Sequence, residues 1–324
     1  MEMKDVLRLL EDDLRKVESQ FQENLRSDVT LIPTVGRYVL ASGGKRIRPL
    51  LVLLSARLCG YRGDRSIPLA SIVEFIHTAT LLHDDVVDNA DLRRGQESAN
   101  AVWGNEASVL VGDFLFSKSF SLLVGDGDIR ILKVMSDATT CMAEGEVLEL
   151  LKTCDLETRE EEYLEVVTNK TAVLIAAACE IGALLGGAEP ERTAALREYG
   201  MQVGVAFQLM DDCLDYVGDR EAFGKTVGTD LEEGKVTLPL IHALKSADEG
   251  ERACVQAVVE KEALEAGDLE RIRALIERYG GIERTRAEAA TRIERARRCL
   301  TAFDPCPERD ALEVVASYVL TRSS

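Results

Sequence analysis

The chain has 324 residues, 39 of them Lys or Arg against 57 Asp or Glu, for a formal net charge of -18. So acidic a chain excludes nucleic acid and anionic membrane as general partners, because both are polyanions. Hydrophobic residues are 46% of the sequence, enough for a large core, and the length allows one domain over 1–324.

The N-terminal run "MEMKDVLRLLEDDLRKVE" reads as a charged amphipathic helix without the apolar stretch of a signal peptide. No run of about 18 uncharged apolar residues follows, so no membrane span is expected and the expected location is the cytoplasm. Apolar residues recur at helical spacing nearly everywhere, and alternating strand patterns bounded by turn pairs are missing. No proline lies between Pro68 and Pro190. These features predict an all-α fold of many helices joined by short loops. Loops are predicted over 60–66, 125–128, 186–191 and 218–235. The last is long, polar and glycine-punctuated, as functional loops often are. Residues 245–300 are richer in charge, which predicts exposed outer helices. Eight cysteines lie scattered without a C-x-x-C pair, and they read as reduced, buried thiols.

Two segments break the apolar pattern. "LLHDDVVDNADLRRG" (81–95) and "FQLMDDCLDYVGD" (207–219) each carry a D-D-x-x-D spacing. On a helix, Asp84 and Asp88 share a face, with Asp85 beside them and His77 two turns earlier on the same stripe. Gln208, Asp211 and Asp215 form the matching stripe, with Asp212 beside it. Unpaired carboxylates in a core cost several kcal/mol each or take up protons. Aspartate is also a poor residue inside a helix. A single such stretch reads as a solvated helix end; two copies, each in apolar sequence, call for cations. Mg²⁺ takes one or two carboxylates and completes its shell with water and phosphate oxygens, so these clusters point to Mg²⁺ holding a polyphosphate. Calcium is the other hard cation, but the EF-hand spacing is absent.

Basic residues sit in selected places. "GGKRIRP" (43–49) supplies Lys45 and Arg48, and "RRG" supplies Arg93 and Arg94 just after the first cluster. Arginine forks suit phosphate and lysine acts as a point charge. "NKTA" (169–172) and "GKT" (224–226) add Lys170, Thr171 and Lys225. No Walker A pattern is present.

Taken together, "GGKRIRP", "HTATLLHDDVVDNADLRRG", "NKTA", "FQLMDDCLDY" and "GKTVGTDLEEGKVTLPLI" resemble the trans-polyprenyl diphosphate synthases, in the family's order and across nearly the whole chain. The chain is most similar to the bacterial long-chain members, the octaprenyl diphosphate synthases that make quinone side chains. The resemblance implies a single-domain, all-α bundle of the isoprenoid-synthase type around a central cavity, as a homodimer. It implies that Asp84, Asp85, Asp88, Asp211, Asp212 and Asp215 face each other across that cavity, bind Mg²⁺ and hold the allylic diphosphate. Lys45, Arg48, His77 and Arg94 would bind isopentenyl diphosphate. Arg93, Lys170, Thr171, Gln208 and Lys225 would contact the allylic substrate, with Lys235 near its diphosphate. Lys170 and Lys225 would join the aspartates in catalysis.

Product length is read from α-helical phase. Ala79 and Thr80 stand where short-chain relatives place bulky aromatics, so small residues there should leave a tunnel open, with Leu123 and Met135 as candidate floors. Gly200 and Gly204 lie on the Asp211 stripe; they either make room for a chain or allow close helix contact. Two other activities compete: a shorter-chain prenyl diphosphate synthase and a class I terpene cyclase. The cyclase would lack the second D-D-x-x-D and the basic clamp. A non-enzymatic metal-dependent interaction protein is the alternative from another class, and it would bind Mg²⁺ without releasing pyrophosphate.

Overall fold

The computed structural model describes residues 1–41, 43, 46–93, 95–217, 228–261 and 263–321. Among them the chain is all-α, as expected. The helices are α1 (Met3–Leu9), α2 (Glu11–Asn24), α3 (Leu31–Ala41), α4 (Ile47–Leu58), α5 (Ser66–Val87), α6 (Ala99–Trp103), α7 (Asn105–Asp126), α8 (Ile129–Lys152) and α9 (Glu160–Val167). A π turn, Thr168–Ala172, leads into α10 (Val173–Leu185) and α11 (Pro190–Val217). Then come α12 (Thr229–Glu232), α13 (Leu238–Leu244), α14 (Glu249–Val259), α15 (Asp268–Arg278), α16 (Gly281–Cys299) and α17 (Pro307–Thr321). Strand pairing among the described residues is confined to a short hairpin, β1 (Leu92–Arg93) with β2 (Gln96–Glu97), turned at Gly95 with φ 78°.

The expected loops at 60–66 and 186–191 match links between helices, but α5 already starts at Ser66 and α11 at Pro190, and α7 runs on to Asp126 and shortens the one at 125–128. Of the expected loop 218–235, residues 218–227 lie outside the described residues and Thr229–Glu232 is helical. All eight cysteines are free, but only Cys179 and Cys213 are buried and Cys254 is exposed. Two stretches, Asn105–Asp126 and Glu160–Leu185, are long and apolar enough to cross a membrane by length and composition; 72% of the second's most apolar 18-residue window is buried, as in a core helix.

The chain divides into two compact units. The first holds Met1–Thr139, Leu174–Gly200 and Cys299–Val315; the second holds Thr140–Val173, Met201–Arg298 and the residues from Ala316 on. In the first unit α5 is the central element. Its sequence is apolar on nearly every face, so it is buried all round and packs on α2, α4 and α7. Phe21 and Phe75 meet at 4.1 Å between ring centroids inside a cluster that includes Ala79, Leu82, Val111 and Leu115. Truncating such a ring to alanine costs about 3–5 kcal/mol. In the second unit α13 is wholly buried and packs on α9 and α15. Its outer helices behave as the charge pattern predicts: α16 buries Ile282, Ala289, Ile293 and Ala296 along one stripe.

Candidate active site

Each aspartate cluster lies at the C-terminal end of a long helix, the first in the first unit and the second in the second. The first ends α5, where Asp88 is the C-cap with helical backbone (φ -80°, ψ -2°), so Asp84 and Asp88 keep one face. Burial sorts the three carboxylates. Asp85 is 1% exposed, while Asp84 and Asp88 are only partly buried. Arg93, carried by the hairpin, donates its Nε–H to Asp85 Oδ1 at 2.5 Å. No basic residue lies in the last turn of α5. A helix C-terminus is itself partially negative, so backbone and neighbours together disfavour free carboxylates there.

The basic residues of this unit divide by role. Arg46 is the N-cap of α4 in left-handed conformation (φ 50°), and its guanidinium is tied to Glu74 at 2.9 Å and to the Leu40 carbonyl at 3.3 Å. Arg48, one residue into α4, and His77 on α5 are partly buried. Lys45 and Arg94 lie outside the described residues.

The second cluster ends α11 and repeats the sorting. Asp212 is 2% exposed, while Asp211 and Asp215 are partly buried. Asp212 accepts from the Tyr163 hydroxyl and, at 2.8 Å, from Gln208 Nε2. Gln208 Oε1 accepts in turn from the Thr171 hydroxyl at 3.0 Å. The two Asp215 oxygens accept the backbone N–H groups of Thr229 at 3.2 Å and Asp230 at 3.1 Å. Burial, and then the Asp230 charge, push Asp212 well above the usual carboxylate range, against the two hydrogen bonds. Burial beside Asp212 likewise pushes the Tyr163 phenol up. The last turn of α11 also lacks a basic residue.

The lysines of this unit meet glutamates. Lys170 donates to Glu146 at 2.8 Å and to Glu149 at 2.6 Å. Lys235 lies 2.6 Å from Glu233 and 3.7 Å from Glu149. Burial holds Glu146 above the ordinary carboxylate range despite Lys170. Lys225 lies outside the described residues.

Among the described residues no three His, Cys, Asp or Glu side chains gather at metal-ligand spacing. Each cluster offers a pair of part-buried carboxylates one turn apart beside a buried middle member. That donor set fits Mg²⁺, which uses one or two carboxylates and leaves the remaining positions to water and phosphate.

The chain matches the family described as polyprenyl synthetase over residues 29–276. It is 42% identical to the octaprenyl diphosphate synthase of Escherichia coli over 99% of both chains. The chain belongs to the polyprenyl synthetase family. Among solved structures, the synthase is similar to a polyprenyl synthase from Caulobacter crescentus complexed with calcium and isoprenyl diphosphate. Identity there is 41% and the TM-score 0.96, over 100% of this chain and 98% of that one. A decaprenyl diphosphate synthase from Rhodobacter capsulatus gives 43% identity and a TM-score of 0.94 over 99% of both chains. The synthase is a prenyltransferase of the trans-polyprenyl diphosphate synthase type, as the motifs imply.

The positions expected to govern chain length lie in the first unit. Ala79 is fully buried in the Phe75–Leu82 cluster, and Thr80 is partly buried with its hydroxyl donating to the His77 carbonyl at 2.9 Å. Leu123 and Met135 are buried, 1% and 0% exposed. The stripe glycines serve close packing: a Cβ on Gly204 would lie 2.5 Å from Ala172 Cα, and one on Gly200 would lie 2.7 Å from Ala176 Cα. The motif reading passed over Tyr163, Asp230, Glu233 and the pair Glu146–Glu149. The pair had a signal: two glutamates one turn apart in the apolar run "EGEVLELL", the same logic that singles out the aspartates.

Proposed function

We propose that this synthase uses Mg²⁺ to add successive isopentenyl diphosphate units to farnesyl diphosphate, giving an octaprenyl diphosphate for quinone side chains in the cytoplasm. The observation that carries the reading is the matched burial of the two clusters. Each keeps its outer aspartates, Asp84 with Asp88 and Asp211 with Asp215, partly exposed on one helix face, and buries its middle aspartate. The outer four are the metal ligands in this reading, and Asp85 and Asp212 hold Arg93 and Gln208 in place.

Ionisation of the allylic C–O bond leaves charge on the departing diphosphate. Bound Mg²⁺ supplies Lewis-acid stabilisation of that charge. The chain's own part is preorganised: Lys170, Lys225 and Lys235 bring fixed positive charge to the diphosphate, and Arg93, Thr171 and Gln208 orient the allylic substrate. Lys45, Arg48, His77 and Arg94 hold isopentenyl diphosphate so that its double bond attacks C1. The released pyrophosphate takes the proton lost in the last step. The product is again an allylic diphosphate, so the cycle repeats until the tail meets the floor of its tunnel, with Leu123 and Met135 as the floor. The similarity to octaprenyl and decaprenyl synthases supports a long product.

The proposal includes a homodimer. On α7 Leu110 and Val124 are each 66% exposed, and Ile129 at the start of α8 is 72% exposed. An apolar helix left this open marks an interaction face, and a second copy is its occupant here. Leu110→Glu with Val124→Glu should turn a dimer into a monomer by light scattering on a sizing column. The function itself is tested by incubating the enzyme with farnesyl diphosphate, isopentenyl diphosphate and Mg²⁺ and separating the products. An octaprenyl end product is expected. Products that stop at farnesyl or geranylgeranyl length overturn the long-chain assignment, and a cyclised hydrocarbon overturns the reaction class.

A further inference from the structure

Lys170 is placed by an unusual piece of backbone. It sits in the π turn Thr168–Ala172, and such turns carry an extra residue and concentrate at functional sites. The turn sends adjacent side chains to different partners: Thr171 goes to Gln208, while Lys170 goes to α8. Helix α8 meets it backbone to backbone, because a Cβ on Gly145 would lie 2.7 Å from the Lys170 nitrogen. Gly145 is followed directly by Glu146, and Glu149 comes one turn later. Both carboxylates take hydrogen bonds from the Lys170 ammonium, at 2.8 and 2.6 Å. Glu149 also lies 3.7 Å from Lys235, whose ammonium is 2.6 Å from Glu233. The two lysines are therefore coupled through one glutamate.

The arrangement has a chemical consequence, which rests on the prenyl-transfer reading above. The charges that stabilise a departing diphosphate also retain it as pyrophosphate. A repeating synthase must clear pyrophosphate after every condensation, and product release limits many enzymes. An ammonium has three donors, and Glu146 and Glu149 take two of those of Lys170. Bound diphosphate must draw the lysines away from these carboxylates, which recapture them as it leaves.

We propose that Glu149, assisted by Glu146, is a positioning residue that competes with pyrophosphate for Lys170 and Lys235 and so speeds its release between condensations. Glu149→Gln keeps the shape and removes the charge. It should tighten the binding of inorganic pyrophosphate plus Mg²⁺ to the full-length protein about three- to tenfold, the scale of a partly exposed charge pair. It should also slow repeated turnover while sparing the first condensation. Glu149→Asp, which restores the charge, should return pyrophosphate affinity toward wild type. Glu146→Gln, which strips one carboxylate from Lys170 alone, should show a smaller change in the same direction. Loss of packing would weaken pyrophosphate binding, so a gain in affinity separates the proposal from a structural role. Unchanged or weaker binding by both glutamine variants overturns it. Calorimetric binding of pyrophosphate needs no turnover, so a tightened Glu149→Gln in a protein that makes no prenyl product would sink the prenyl-transfer reading and leave the competition standing.

Discussion

The two aspartate clusters share a burial pattern and differ in what neutralises the buried member. Asp85 is met by a cation, Arg93, whereas Asp212 is met by the neutral donors Tyr163 and Gln208 and has another carboxylate, Asp230, near it. The first cluster thus balances part of its charge internally. The second does not, and Asp212 is driven well above the usual carboxylate range by burial first and by Asp230 second. Near-identical motifs therefore stand in different electrostatic settings. The first is a braced ion pair flanked by two part-buried carboxylates; the second is a hydrogen-bonded chain that runs Thr171, Gln208, Asp212, Tyr163.

The outer aspartates should behave alike in both clusters. Asp84→Ala and Asp211→Ala are each expected to cut turnover by at least about a hundredfold, the scale of losing a charge-stabilising group, with helical circular dichroism kept. Near-wild-type turnover in either variant would break the parallel. Elongation should separate them, because the proposed chain-length positions Ala79 and Thr80 lie on α5. Ala79→Tyr overpacks a filled cluster at about 1–3 kcal/mol, and it should shorten the product to farnesyl or geranylgeranyl length while the first condensation survives. Gly204→Ala should lower the melting temperature without changing product length, since that glycine serves packing against Ala172.

The buried aspartates sharpen the contrast. Asp85→Asn leaves Arg93 without its counter-charge and should destabilise the protein by about 2–4 kcal/mol in denaturant titration, below the fully buried case because Arg93 keeps some solvent. Asp212→Asn removes a charge that burial disfavours and keeps hydrogen-bonding capacity, so its loss should stay under about 1 kcal/mol. Equal losses at the two positions would contradict the electrostatic distinction. Arg48→Ala should raise the KM for isopentenyl diphosphate about tenfold with kcat largely kept, as loss of uniform binding does. A larger rise for the allylic substrate would show the two sites assigned backwards. Tyr163→Phe should cost a similarly small amount, about 1 kcal/mol of stability from one hydrogen bond, with a modest rise in allylic KM because Gln208 loses part of its anchor.

The sequence made the all-α class legible because the apolar run of α5 is long enough for a core helix and the helical period of α16 buries its apolar stripe as spaced. The aspartate pairs were legible because carboxylates in apolar helix sequence demand an explanation. Which carboxylate faces inward was not. That depends on Arg93 arriving from a hairpin and on Tyr163 lying 49 residues from Asp212. Helical phase alone treats Gly200 and Gly204 as open space or as contact with equal ease, and backbone approach to Ala172 and Ala176 decides for contact. The Lys170–Glu149 pairing hinges on a π turn that breaks the 3.6 period, so no periodicity argument could reach it.

The central claim is that each cluster is a carboxylate pair for the same kind of cation. A Mg²⁺ titration of pyrophosphate release, run on wild type, Asp84→Asn and Asp211→Asn, tests it most directly. Release should require Mg²⁺, stop on chelation, and need at least about tenfold more Mg²⁺ in both variants, the factor equivalent to about 1.4 kcal/mol of lost binding. Metal-independent release, or an unchanged Mg²⁺ requirement in both variants, would contradict it.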